Sequence, residues 1–372
     1  MFTAWHAGGR GSNLPGSRIF SYFYKPKFFK LEKNYTVIIP VFNAEKTINQ
    51  LLRSIFKLSK QPSEIIVVDD ASTDQSSSII KNFERVKLLR LDENVGPAKA
   101  RNIGATEAQT SWLLFIDSDC SLPNESLKYA FPSQKEQLEK IVGKMGLFDI
   151  KGKGISSIAH YKNMQRHFEI KAMKNPPEVF CSSCFTIKKE AFFKCGGFNE
   201  NFGKTPTEDN EFYFRLIKEN LFIKYDSNFV FFHNKNMSLK KLFYDDYLRS
   251  KAIIHNIFGQ LGEKRNNLGI NEIIKWSIEL LTSFSIILLI FLLLISRLFL
   301  ANSYYKILLL TLVILFFIIV LVNFRFFKYS LKCGGIKMFT THLFLRIFEM
   351  ITAISGISIS IFELLFKRLR SI

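Results

Sequence analysis

The chain has 372 residues, 48% of them hydrophobic, and a net charge of +19 from 51 basic and 32 acidic side chains. Its mean hydropathy of +0.10 is high for a wholly soluble protein, and the apolar excess is concentrated after residue 276. The basic balance suits an anionic membrane surface or substrate. No nucleic-acid motif accompanies it, and much of it flanks apolar segments, so nucleic acid is not the expected partner. Five cysteines (Cys120, Cys181, Cys184, Cys195, Cys333) are too few and too scattered for a disulfide framework, and they point to reduced thiols and a cytosolic soluble part.

Residues 1–33 have no continuous apolar core of the signal-peptide kind. Glycines lead into aromatic residues interleaved with Arg18, Lys25, Lys27 and Lys30, which suits either a flexible arm or an interfacial segment. From Tyr35 a strand–helix alternation begins. Tyr35–Val41, Glu64–Val68, Val86–Leu91 and Trp112–Ile116 are apolar runs of strand length. Between them, Ala44–Leu58, Gln75–Glu84 (with Thr73 or Asp74 as cap) and Pro97–Ala108 have helical spacing or start signals. Such repeats imply right-handed crossovers and an α/β fold with a mostly parallel, Rossmann-like sheet.

Beyond residue 120 the pattern loosens. It predicts helices over Glu125–Phe131, His160–Lys174, Ala191–Cys195 and Glu208–Asn220, and strands over Ile141–Phe148, Phe180–Lys188, Phe222–Tyr225 and Phe229–His233. Seventeen uncharged, mostly apolar residues then separate Glu279 from Arg297, and 18 separate Lys306 from Arg325. Both runs approach membrane-spanning length, and Trp276, Tyr304 and Tyr305 flank them as interfacial anchors. Arg325, Lys328, Lys332 and Lys337 place the following loop in the cytosol. Crossing by Met338–Phe366 would carry Lys367, Arg368 and Arg370 outside, against the same rule. The expected organisation is an arm (1–33), a catalytic domain (34–237), a basic linker or interfacial helices (238–276), two transmembrane helices (277–325) and an interfacial or re-entrant segment (326–372). That is a multi-pass protein of the plasma or inner membrane with its catalytic domain in the cytosol.

The polar residues cluster at strand carboxyl ends, where ligands sit in open α/β sheets. Asp117-Ser118-Asp119 follows the most apolar strand. Paired carboxylates there can hold Mg²⁺ or Mn²⁺, or can form a solvated turn. Asp69 and Asp70 close another strand, and Asp69 can equally be a cap or turn former. Gly96 permits close backbone approach, and Arg101 in the next helix can grip a diphosphate bidentately or lie on the surface. Glu208 and Asp209 open a helix, where the dipole alone would favour them. His233 closes an apolar run, and Cys181-x-x-Cys184 lacks the second pair that zinc requires.

Five motifs occur in order: Ile38-Ile39-Pro40-Val41-Phe42-Asn43; Val68-Asp69-Asp70-Ala71-Ser72-Thr73-Asp74; Asn94-Val95-Gly96 with Ala100-Arg101-Asn102-Ile103-Gly104; Asp117-Ser118-Asp119; and Gly196-Gly197-Phe198-Asn199-Glu200 followed by Thr207-Glu208-Asp209. Together they resemble the family 2 glycosyltransferases, inverting enzymes of GT-A fold, over roughly residues 35–235. The resemblance implies transfer of a sugar from a nucleotide-diphospho-sugar to an acceptor hydroxyl or phosphate, assisted by Mg²⁺ or Mn²⁺. It implies that Pro40, Asp69, Asp70, Gly96, Arg101 and Asp117 bind the donor. Asp119, with Asp117 and His233, would hold the metal, and Asp209, beside Glu208, would be the catalytic base. The membrane segments add membrane lipids and a lipid-linked or glycan acceptor as expected partners. A polyprenyl-phosphate glycosyltransferase and a non-catalytic membrane adaptor that retains the fold are the alternatives. A processive synthase fits less well, since no Gln-x-x-Arg-Trp motif occurs.

Overall fold

A computed structural model describes residues 34–150, 155–177, 180–202, 208–259 and 302–370, with single helical positions between 282 and 292. The arm expected over 1–33 and almost all of the first predicted span lie outside the described residues.

The first half follows the predicted alternation. Strands β1 (Tyr35–Val41), β2 (Glu64–Asp69), β3 (Val86–Arg90) and β4 (Trp112–Ile116) alternate with helices α1 (Ile48–Phe56), α2 (Ser76–Lys81) and α3 (Pro97–Glu107). β1 and β4 are buried along their whole length, as parallel strands covered on both faces must be. α1 turns Ile48, Leu51, Leu52 and Ile55 onto the sheet, a single stripe at helical spacing. α3 starts from Gly96 at φ 89°, a conformation open to glycine, with Pro97 in the first turn. Its Gly104 lies against Ile38 and Val68, so close that a methyl group would meet Ile38 Cγ2 at 2.5 Å.

Next come β5 (Cys120–Ser121), α4 (Gln134–Leu138), β6 (Ile141–Phe148), α5 (Ser157–Ala172), β7 (Cys184–Lys188), α6 (Lys189–Lys194), α7 (Glu208–Lys218) and β8 (Phe222–His233). The helix expected over 125–131 is only a 3-10 turn at Ser126–Lys128. The two short strands expected after residue 221 are one long strand, β8, whose pairing with β6 is irregular near its middle. The eight-stranded sheet runs β3-β2-β1-β4-β7-β6-β8-β5. It is mixed, not mostly parallel as the repeat suggested. β7 is antiparallel to both β4 and β6, and β5 is antiparallel to β8, while β6 and β8 are parallel. Hydropathy marks a buried strand but carries no sign of its direction.

Among the described residues, α8 (Leu239–Gly259), α9 (Asn302–Val322) and α10 (Phe324–Arg370) follow. α10 breaks at Gly334 and Gly335, where φ reaches 65°, so helical geometry restarts at Ile336. Tyr161 and Met164 of α5 form a second apolar core with Leu242, Ile319, Phe326, Phe327, Leu343 and Leu345. Polar contacts join the same helices. Lys162 bonds Asp246 at 3.0 Å and also pairs with Glu349, which accepts from the Tyr161 hydroxyl at 2.5 Å and from Arg346 at 3.3 Å.

Among the described residues, one helical stretch, Phe324–Ser360, is long and apolar enough to cross a membrane by length and composition, and Lys306–Val322 is a shorter apolar helix. The pair of transmembrane helices and the multi-pass placement expected from the sequence are therefore not supported. The stretch that qualifies falls in the segment expected to be interfacial. It is interrupted by the Gly334-Gly335 break and carries buried charge at Glu349, features that hydropathy averages over. α9 leaves Ile307, Leu310, Phe317 and Leu321 each more than half exposed, an apolar face suited to lipid.

Candidate functional site

The site forms where the strand order reverses between β1 and β4, the usual ligand crevice of an α/β sheet. The β1–β4 ladder ends at the Ile38–Phe115 pair. Pro40 lies beyond it, still registered with Val68 on the other side, so its missing N–H breaks no bond to β4 and the strands part there.

The paired aspartates brace the loop after β2 and tie it to the loop before α3. Asp69 is fully buried and accepts from the Ser72 amide at 2.9 Å and from the Ser77 hydroxyl. Asp70 accepts from the Val95 amide at 2.7 Å and the Gly96 amide at 2.9 Å, fixing the loop that precedes α3. Asn43 and Ala71 adopt positive φ, and the Asn43 side chain accepts from the Thr73 amide at 2.9 Å. The cap role considered for Asp74 is local: its carboxylate accepts from the Ser76 amide at 2.9 Å.

Arg101 is buried, and its partners show what it does here. One nitrogen donates to Asp117 at 2.7 Å, another lies 3.4 Å from Glu208, and the guanidinium stacks on Phe198 at 5.4 Å. Burial alone disfavours its charge, but Asp117 and Glu208 outweigh that and hold it cationic. The side chain is thus a strut between the end of β4 and the start of α7, not a free grip for diphosphate. Its neighbour Asn102 receives the Phe198 amide at 2.9 Å and donates to the Phe198 carbonyl at 2.8 Å, clamping the turn at Gly196 and Gly197, both at positive φ. The Ala-Arg-Asn-Ile-Gly and Gly-Gly-Phe motifs are therefore two halves of one contact.

Asp119 faces His233 and Lys235 from the β5–β8 edge. His233 Nε2 lies 3.5 Å from one carboxylate oxygen and Lys235 Nζ 3.6 Å from the other. Asp119, Cys120 and His233 bring potential ligand atoms within 4.8 Å of one another. Burial pushes the Cys120 thiol well above its ordinary range, with Asp119 adding to the effect, so it is a poor thiolate ligand. Asp119 and His233 do fit a cation: two neighbouring ligands of an octahedral ion at about 2.1 Å stand about 3 Å apart. Asp117 already gives one oxygen to Arg101, and its side chain remains a quarter exposed.

At the start of α7, Glu208 is buried against Arg101, and Asp209 is half-buried. Burial and the adjacent Glu208 push the Asp209 carboxyl up to about 7, although the Asn210 amide donates to it at 2.8 Å. A carboxylate poised there is suited to take a proton near neutral pH. The sequence reading missed Asn163, Lys235 and the clamp made by Asn102. The His-Asn-Lys run at 233–235 was the available signal for Lys235.

Residues 36–196 match the family model described as glycosyl transferase family 2. An uncharacterized glycosyltransferase of Haemophilus influenzae is 44% identical over 97 residues, 25% of this chain and 39% of that protein. The poly(ribitol-phosphate) beta-N-acetylglucosaminyltransferase TarS of Staphylococcus aureus is 39% identical over 102 residues, 26% of this chain and 18% of that protein. The matches thus span well under two thirds of these relatives. Among solved structures, the mannosyltransferase PcManGT from Pyrobaculum calidifontis, in complex with GDP-Man and Mn²⁺, aligns with a TM-score of 0.50 at 14% identity, over 87% of this chain and 86% of that one. That likeness is one of fold. Residues 36–196 thus match a glycosyl transferase family 2 domain, and the described fold is GT-A-like α/β.

Proposed function

We propose that the protein is an inverting, metal-assisted glycosyltransferase that moves a sugar from a nucleotide-diphospho-sugar to a membrane-proximal acceptor, a lipid-linked glycan or cell-envelope polysaccharide precursor. The observation that carries this reading is the convergence on one crevice. Asp119 and His233 form a ligand pair, and Arg101 ties Asp117 to the helix that presents Asp209. In this reading Asp119 and His233, with the free oxygen of Asp117, hold Mn²⁺ or Mg²⁺. When bound, the cation would offset charge on the departing nucleoside diphosphate. Pro40, Asp69, Asp70 and Gly96 shape the nucleotide side of the crevice. Asp69 and Asp70 do so mainly through the loops they brace, and Arg101 acts by holding Asp117 and Glu208 in place. Asp209 accepts the proton of an acceptor hydroxyl as it attacks the anomeric carbon from the face opposite the leaving group. An acceptor phosphate, already ionised, would need no base.

The exposed apolar face of α9 and the apolar stretch of α10 support placement at a membrane. Because Glu349 of α10 pairs with Lys162 of α5 and with Arg346 of its own helix, we assign α10 to the interface rather than to a free span. Partial similarity to an enzyme named as a poly(ribitol-phosphate) beta-N-acetylglucosaminyltransferase favours an envelope polymer over bare polyprenyl phosphate as the acceptor. The test is a thermal-shift panel of nucleotide sugars on the full chain, with and without Mn²⁺, repeated on Asp119→Ala. One nucleotide sugar should stabilise the wild type in a Mn²⁺-dependent way, and the variant should lose that dependence. Stabilisation by none of them would overturn the reading and favour the adaptor alternative.

A further inference from the structure

Among the buried polar side chains to which the mechanism gives no role, Asn163 lies nearest the site's histidine. Asn163 lies on α5, 2% exposed, facing the last residue of β8. Its Nδ2 donates to the backbone carbonyl of His233 at 2.9 Å, and its Oδ1 lies 3.0 Å from Nδ1 of the same histidine. The first bond settles the second. A carbonyl can only accept, so the amide must turn its NH₂ toward it, which leaves the oxygen facing the ring. An amide oxygen in turn can only accept. Nδ1 must therefore carry a proton, and in the neutral ring Nε2 is left with its lone pair. That is the nitrogen that faces Asp119 at 3.5 Å.

From this closed pair of bonds we infer that Asn163 is a positioning residue that fixes His233 in the Nδ1–H tautomer and aims Nε2 at the cation site. The inference rests on the metal reading above and goes beyond it by naming what makes His233 a competent ligand. A histidine ligand needs its second nitrogen anchored, and loss of that anchor typically weakens metal binding by about 10- to 100-fold. Asn163 is held in turn by the helix around it. Tyr161 and Lys162 engage Glu349, and His167 Nδ1 lies 2.7 Å from the Phe148 carbonyl.

The experiment uses the full chain in detergent and reads Mn²⁺ affinity by calorimetry. Asn163→Leu removes both bonds and should weaken Mn²⁺ by about 10- to 100-fold. Asn163→Asp keeps the acceptor for Nδ1–H but loses the donor to the carbonyl, so its affinity should stay within about threefold of wild type. Nitrogen NMR of wild type labelled at its six histidines, with His233 assigned by His233→Gln, should show the Nδ1–H form without metal. This measurement does not depend on how the Asn163 variants fold. An Nε2–H ring, an Asn163→Leu affinity equal to wild type, or an Asn163→Asp loss as large as that of Asn163→Leu would each overturn the inference and leave the metal reading standing. Failure of wild type itself to bind Mn²⁺ would overturn both.

Discussion

Asp209→Asn is the most informative single substitution, because it separates the electrostatics of the site from its chemistry. Asp209 Oδ1 accepts from the Asn210 amide at 2.8 Å and the Asn210 side chain at 3.3 Å, and an asparagine oxygen can keep both bonds. What the substitution removes is a carboxyl raised from 3.8 to about 7 by burial and by Glu208. For a group whose pKa is raised on folding, stability is fully present below the unfolded value and is lost as pH climbs through the folded one. The wild type should therefore lose stability between about pH 4 and pH 7, by at most about 4 kcal/mol at 1.36 kcal/mol per unit. Asp209→Asn should match wild type near pH 4 and exceed it at pH 8, as read by denaturant unfolding at the two pH values. Transfer to an acceptor hydroxyl should fall by roughly 100- to 10,000-fold, the usual contribution of a general base, and the wild-type rate should decline below about pH 7. Equal stability of the two proteins at pH 8 would refute the electrostatic argument. An undiminished rate on a hydroxyl acceptor would refute the role of base.

Three further outcomes follow from packing and charge. Arg101→Met leaves Asp117 and Glu208 facing each other without their shared cation, and unfolding free energy should fall by about 3–5 kcal/mol; a loss under about 1 kcal/mol would mean the strut carries little. Gly104→Ala improves helix propensity by about 1 kcal/mol but drives a methyl into Ile38, so overpacking of about 1–3 kcal/mol should win and the melting temperature should fall; a rise would show that β1 yields at that point. Glu349→Ala strips Lys162 of one of its two carboxylates and Tyr161 of its acceptor, so amide hydrogen exchange should quicken across Tyr161–Asn163; unchanged protection there would disprove the link between α10 and α5.

The catalytic half of the fold was readable because its parallel strands are continuous apolar runs and its helices bear single stripes, so β1 to β4 emerge almost at their true bounds. The direction of β6, β7 and β8 was not readable, since a buried strand looks alike whichever way it runs. Among the site residues, type and loop position were legible, but partners were not. Arg101 reads as a diphosphate grip or a surface cation at a helix start, whereas its two carboxylates lie 16 and 107 residues away in sequence. Asn163 was invisible for a related reason. One asparagine on a helix rich in basic and aromatic residues looks like solvated surface until β8 is laid against it. The membrane segments were legible only in part: the first lies outside the described residues, and a hydropathy average cannot distinguish apolar surface meant for lipid from apolar surface meant for α5 and α8.

α5 is the element on which these observations meet. Within three consecutive residues it directs Tyr161 and Lys162 toward Glu349 of α10 and Asn163 toward His233 of β8. A helix advances about 100° per residue, so Asn163 points nearly opposite to Tyr161, and one turn can serve two sides at once. The consequence is geometric. His233 is oriented by a helix that is itself pinned by the C-terminal helices, so the side of the crevice with Asp119 depends on them. Asp117, by contrast, is braced from α3 through Arg101 and owes nothing to those helices. The two aspartates of one short motif thus depend on different parts of the chain, and loosening α10 should disturb Asp119 and His233 before it disturbs Asp117.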